Sequence, residues 1–337
     1  MTDKSSRYAV MLAIAVALLA SCSRETPATD PDELRIISFM PSATRIVVDL
    51  GLGDRIVGVA EHDAAAPSIN ADGEPMPIVG HFMDVDIERL LSLRPTHVIF
   101  PETTSGVPAP LESQLDLRGA ALLAEPYPTV VADVYAAIVR LADGLGQPES
   151  GQDLLNGFES RMMLAGMFGA FASGIDERFG LDAAAGDGIR TRALLAFAVD
   201  PVVASGPGSI NHELLTMAGG LNVVGDASTS AVTLDREAVI GLNPAVVVLL
   251  LPGRTAEEAF ETIAWFEGLP IDAIKRGRVY ALTDPQVLLP ATNLPEVLRQ
   301  LSGVIVGDSP RVVAPNDDAE QATPVQATGE TGESVER

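Results

Sequence analysis

The chain carries few of the residues on which covalent chemistry depends. Cys22 is the only cysteine among 337 residues, so no disulfide can form within the chain. The four histidines, His62, His81, His97 and His212, are too scattered to define a metal cluster by spacing. The stretch NHELLT (Asn211 to Thr216) opens like a zinc-protease helix, but Thr216 stands where the second histidine must be. SGPGS (Ser205 to Ser209) lacks the third glycine of a dinucleotide loop and the lysine of a phosphate loop, and no nucleophile elbow occurs. Aromatic residues make up only 4%, so the cores must be filled with Ala, Val, Leu and Ile. Basic residues are also scarce, 22 Lys and Arg against 46 Asp and Glu, for a net charge of −24. Such a surface repels nucleic-acid phosphates and anionic lipid headgroups, which removes both as partners.

What is present begins with an address. Lys4 and Arg7 precede an apolar run from Ala9 to Ala20 that is too short to span a bilayer and suits a signal peptide. The following LASC (Leu19 to Cys22) resembles a bacterial lipoprotein cleavage box, in which the cysteine is acylated and becomes the first mature residue. That likeness implies export, a lipid on Cys22 as the one covalent addition, and a periplasmic protein held to a membrane by its anchor. Residues 1–22 are then signal peptide and lipobox, and residues 23–33 a polar tether without periodicity. Residues 307–337, rich in Pro, Thr, Asp and Glu, read as a disordered acidic tail.

Between these ends the pattern is that of two α/β lobes, residues 34–147 and 181–306, the length suiting two cores of about 120–150 residues. Short continuous apolar runs such as LRIISFM, THVIF and AVVVLLL alternate with helical stretches, which indicates mainly parallel, Rossmann-like sheets covered on both faces. Residues 148–180 keep helical spacing at Leu154, Leu155, Phe158, Met162, Ala165, Phe168, Ala172, Ile175 and Phe179. They predict one lobe-spanning helix of about 45 Å at 1.5 Å per residue. Gly157, Gly166, Gly169 and Gly174 within it are the positions at which it could break.

The chain also repeats itself. DVDIERLLSLRPTHVIF (Asp84 to Phe100) aligns with LDREAVIGLNPAVVVLL (Leu234 to Leu250), matching Asp86 with Asp235, Glu88 with Glu237, Leu93 with Leu242 and Pro95 with Pro244. Two such lobes create a cleft outside the carboxyl ends of their strands, where open α/β sheets bind ligands.

The stretches RIISFMPSATRIVVDLGLGDRIVGVAEH, VGHFMDVDIERLLSLRPTHVIF, ASGPGSINHELLTMAGGLNVVGD, LDREAVIGLNPAVVVLL and WFEGLPIDAIKRGRVYAL occur in that order. Together they resemble the periplasmic binding proteins of ABC importers for vitamin B12, ferric siderophores and haem. The resemblance implies no enzymatic activity, a metal chelate as cargo, and a permease dimer with its ATPase subunits as partner. It implies permease docking by Glu88 and Glu237, one per lobe; the alternative is that each merely suits the positive end of its helix. It maps the cleft onto Met40, Pro41, Ser42, His62, Gly80, His81, Phe82, Pro101, Glu102, Asp200, Pro201 and Asp284. Phe82 is the only aromatic among these, where corrinoid binders carry Trp or Tyr, and Trp265 is expected in the core. His62 and His81 are weak candidates for a metal; with Glu102 and Asp284 they would hold a bare divalent ion, and either could face haem iron. His97 is expected to be structural. A metal-dependent enzyme on this scaffold is the remaining alternative.

Overall fold

A computed structural model of the protein describes residues 34–70, 73–104, 106–176, 190–307 and 309–314. The signal peptide, Cys22, the tether, positions 177–180 of the expected helix and most of the tail lie outside those residues.

The first lobe opens with β1 (Ile36–Ser38), buried at all three positions, as a strand covered on both faces requires. Then comes α1 (Pro41–Val47), with proline at the first helical position, where its fixed φ suits the helix and an N–H is not needed. A π turn at Val48–Leu52, with Gly51 at φ +80, and a 3-10 turn at Gly53–Arg55 lead into β2 (Ile56–Val59). A small hairpin, β3 (Gly80–His81) and β4 (Asp84–Val85), precedes α2 (Ile87–Ser92) and β5 (His97–Pro101). The lobe closes with α3 (Ala109–Asp116), β6 (Ala121–Glu125) and α4 (Val131–Gly144). Its sheet has the order β2-β1-β5-β6 and is parallel throughout.

Helix α5 (Pro148–Asp176) carries the chain across without interruption at its glycines. The second lobe contains β7 (Thr191–Ala198), β8 (Val202–Ser205), α6 (Ile210–Met217), β9 (Gly220–Asn222), β10 (Ala231–Leu234) and α7 (Arg236–Leu242). It continues with β11 (Val246–Leu250), α8 (Ala256–Ala264), α9 (Asp272–Lys275), β12 (Val279–Leu282), α10 (Leu294–Val306) and β13 (Val312–Val313). The path β10-β8-β7-β11-β12-β13 is parallel from β7 onward, whereas β8 runs antiparallel to both β7 and β10.

Part of the stretch expected as tail from residue 307 belongs to the fold. Val312 and Val313 pair with Ala281 and Leu282 of β12 and lie against the apolar core, so two β-branched residues hold this stretch to the sheet. Strand β9 pairs in parallel with the first half of β7.

The two lobes share one core. Phe158, Met162 and Ala165 of α5 belong to a single apolar cluster with Ala137, Ile138 and Leu141 of α4 and with Leu214, Leu298 and Leu301 of the second lobe. Phe158 is fully buried, edge-on to Tyr135 at 4.9 Å, and a side chain of that size is worth about 3–5 kcal/mol against alanine. Polar contacts across the lobes add to this. Arg45 Nη1 donates to Gln286 Oε1 at 2.7 Å, Gln286 Nε2 to Ala64 O at 3.1 Å, and Val131 N to Glu213 Oε2 at 2.7 Å.

The internal repeat extends into its hydrogen bonds. Arg35 Nη2, just before β1, donates to the carbonyl of Leu93 at the end of α2 at 2.7 Å, and its Nε reaches Leu93 O and Arg94 O at 3.0 and 3.2 Å. Arg192 Nη2, at the start of β7, donates to Leu242 O at the end of α7, also at 2.7 Å. Thr96 N bonds Arg35 O and Ala245 N bonds Arg192 O, both at 2.9 Å. Each lobe thus fastens its glutamate-bearing helix to its central strand with one guanidinium. Arg35→Met should cost about 1.5–3 kcal/mol of folding stability, because carbonyls lose a charged donor. Arg192→Met should cost less, having one such bond to lose. Urea unfolding of both variants checks this, and an unchanged midpoint for Arg35→Met would contradict it.

Candidate functional site

Helix α1 and the loop after β2 in the first lobe meet the loop after β12 in the second, through the Arg45–Gln286 and Gln286–Ala64 bonds, at the carboxyl ends of parallel strands in both sheets. Met40 and Ser42 follow β1 and are 3% and 2% exposed, with Pro41 half-buried between them. His62 follows β2 at φ +63; its ring is exposed, and Nε2 lies 3.5 Å from Glu61 Oε1. Pro101 ends β5, and the N–H of Glu102 donates to Glu125 O at 2.7 Å. Asp200, at φ +60, and Pro201 form the exposed turn from β7 to β8, joined by a cis peptide. Asp284 follows β12, and its Oδ1 accepts from Gln286 N at 2.7 Å.

The hairpin β3–β4 holds Gly80, His81 and Phe82. Gly80 takes φ +94, and a Cβ there would stand 2.4 Å from Asp84 O, so the turn requires glycine. His81 Nδ1 accepts from Met83 N at 3.3 Å, and its ring lies 4.2 Å from that of Phe82. Phe82 is partly buried against the first-lobe core, which limits its use as a stacking surface. Among the described residues no three His, Cys, Asp or Glu side chains converge to hold a metal ion, so His62, His81, Glu102 and Asp284 are not gathered into one site. His97 is structural: it is buried in β5, bonds Thr96 Oγ1 at 2.9 Å, and burial pushes its imidazole toward the neutral form. Trp265 is partly buried against the second-lobe core, edge-on to Phe266 at 4.8 Å, with the Arg236 guanidinium 4.9 Å from its ring.

Glu88 and Glu237 occupy matching places. Asp86 and Asp235 cap α2 and α7, accepting from Arg89 N at 2.9 Å and Ala238 N at 2.7 Å. Each glutamate is then the second residue of its helix, fully outward, with no ion-pair partner among the described residues. Local helix chemistry is already served by the aspartates, so the two glutamates are free to meet something else.

Three residues at this edge were not legible as site residues. Tyr127, 59% exposed, stands just beyond β6 between Pro126 and Pro128; the EPYP signal, an aromatic held by two prolines after a strand, could have found it. Glu125 is buried at the end of β6, where burial pushes its carboxyl up and Arg140 opposes the shift. Asp63 accepts from Ala65 N at 2.9 Å, and its Oδ2 lies 2.6 Å from Thr44 Oγ1.

The model of the family described as periplasmic binding protein matches residues 36–166. The chain is 25% identical over 276 residues to the uncharacterized ABC transporter substrate-binding lipoprotein YvrC of Bacillus subtilis, covering 82% of this chain and 81% of that one. It is 24% identical over 271 residues to the vitamin B12-binding protein of Salmonella typhimurium, covering 80% and 91%. The structure is similar to that of a periplasmic heme binding protein from Pseudomonas aeruginosa, with a TM-score of 0.64 and 22% identity over 83% of this chain and 95% of that one. The fold is the two-lobed one of periplasmic binding proteins, and the relatives are binding proteins of transporters, not enzymes.

Asp63 gives the site a pH signature. Thr44 Oγ1 lies 3.1 Å from Met40 O as well as 2.6 Å from Asp63, and one hydroxyl proton can serve only one of them. Burial pushes Asp63 up, and a protonated Asp63 would supply the second hydrogen bond. A raised carboxyl pKa means the folded state binds the proton more tightly, so stability falls as pH rises from about 4 through the raised value. Asp63→Asn imitates the protonated form, and its melting temperature relative to the wild type should rise between about pH 4 and about pH 8. A difference that stays flat across that range would contradict the assignment.

Proposed function

We propose, from the match of residues 36–166 to the model of the periplasmic binding protein family, that this protein is the lipid-anchored binding protein of an ABC importer. It captures a metal chelate of the vitamin B12, ferric siderophore or haem kind between its lobes and delivers it to a permease dimer. The relatives support this reading, since those matched over four-fifths of the chain include a substrate-binding lipoprotein and vitamin B12-binding proteins. The observation that carries it is the duplicated peg: Glu88 and Glu237, each second in a helix capped by aspartate and tied down by Arg35 or Arg192. A permease built of two related subunits presents two equivalent sockets, and a carboxylate meets arginine in a directional, bidentate way.

Replacing either glutamate with alanine should leave chelate affinity unchanged within about 0.5 kcal/mol, as for other exposed positions. Uptake should fall, because a lost charge-assisted contact at an interface costs about 2–5 kcal/mol of docking. The double substitution should be worse, and Glu88→Arg/Glu237→Arg worse still. Uptake, affinity and melting temperature measured on the same variants check this. Normal uptake by the double arginine variant would contradict docking, and lower melting temperatures with normal uptake would return both residues to a helix-dipole role.

The anchor is tested separately. Cys22→Ser should release the protein into the soluble periplasmic fraction or leave an uncleaved precursor. Correctly processed Cys22→Ser protein that still partitions with membranes would contradict lipidation.

A further inference from the structure

The end of β6 holds a carboxylate with one oxygen spare. Glu125 is 5% exposed. Arg140 Nε and Nη2 lie 3.0 and 2.9 Å from the same oxygen, Oε2. Oε1 has no hydrogen-bond partner among the described residues, and neither has Oγ of Ser42, although Ser42 is 2% exposed. Both side chains line one small pocket at the carboxyl edge of the first sheet, whose other walls, Met40, Ile46, Pro126 and Leu141 among them, are apolar. The pocket has room for about one small polar group. Both atoms open into the pocket, and each can accept from an N–H that enters it.

The surroundings set the sign of that donor. Glu61, Asp63, Glu102, Asp200 and Asp284 stand at the same edge of the two sheets. The guanidiniums nearby are already engaged: Arg45 with Asp49 and Gln286, Arg140 with Glu125, and Arg254 with Glu258. Burial pushes the Glu125 carboxyl up and nearby Glu102 adds to the shift, so the site gains from any further donor. A carboxylate on the cargo would meet like charge in a poorly solvated place, where repulsion is strongest.

We propose that this pocket is a subsite of the cleft for an N–H donor on the periphery of the cargo, such as the NH2 of a carboxamide. Glu125 Oε1 and Ser42 Oγ accept from that group, and Arg140 holds the carboxylate in place. The subsite selects amide-bearing chelates over those with a carboxylate periphery. It rests on the reading of the protein as an importer's binding protein.

Titration calorimetry on the processed protein tests it with two probes, vitamin B12, whose rim carries carboxamides, and haem, whose rim carries two carboxylates. Vitamin B12 should bind at least about tenfold more tightly than haem. Glu125→Gln should weaken vitamin B12 binding by about ten- to a hundredfold, the scale of a hydrogen bond to a charged group. Ser42→Ala should weaken it by about two- to tenfold, the scale of a neutral one, and guards against a folding defect in the first variant. Melting temperatures of both variants report whether they are folded. Unchanged vitamin B12 affinity in both folded variants would mean that the pocket holds only water, and would overturn the subsite. So would haem binding as tight as vitamin B12, or no binding of either probe. The importer reading is judged apart from these results, by uptake in the Glu88 and Glu237 variants.

Discussion

Helix α5 holds the two lobes in register because its buried face, Phe158, Met162 and Ala165, lies in a core that neither lobe owns. Separating the lobes would expose that face, Leu214 of α6 and Leu298 and Leu301 of α10 together, at about 25 cal/mol for each square ångström of apolar surface. The polar ties Arg45–Gln286, Gln286–Ala64 and Val131–Glu213 act in the same direction. A cleft built this way is largely pre-formed. Cargo bound there, as proposed, would be recognised by what already lines the strand ends, with little hinge motion to reshape it.

The same constraint bears on the docking proposed for Glu88 and Glu237. Two carboxylates can engage two sockets at once only if their separation is fixed, and here it is fixed at three levels. Asp86 and Asp235 set the first turn of each helix, Arg35 and Arg192 tie each helix to a central strand, and α5 joins the two sheets. Glu88 and Glu237 therefore project from rigid supports, and in the proposed docking the entropic cost of placing them would be met during folding.

Much of this was legible in the sequence because parallel sheets and their helices leave strong signals. THVIF and AVVVLLL, continuous and apolar, became β5 and β11, and the repeated Asp-x-Glu pair marked α2 and α7 correctly. Less visible was whatever depends on tertiary pairing. The antiparallel strands β8 and β10 lie in VDPVVASGPG and SAVTLD, where proline, glycine and short length mask strand character. Val312 and Val313 sit after a glycine and a proline in a polar stretch, and only their pairing with β12 places them in the fold. Of the candidate site, the loop residues came from the family resemblance; Phe82 lies partly buried against the first-lobe core, and Tyr127, Glu125 and Asp63 escaped notice. A buried carboxylate with one open oxygen has no signature in one dimension, since Ser42 comes to line the same pocket only through the packing of α1 beside α4.

The central claim is that cargo sits between the carboxyl ends of the two sheets and touches both lobes. The most direct test is a crystal of the protein with a metal chelate that binds it, with data collected at the absorption edge of the metal. The account predicts one strong anomalous peak between the loops that follow β1, β2 and β6 and those that follow β7 and β12. A peak on the outer surface of either lobe, or one in contact with a single lobe only, would contradict it.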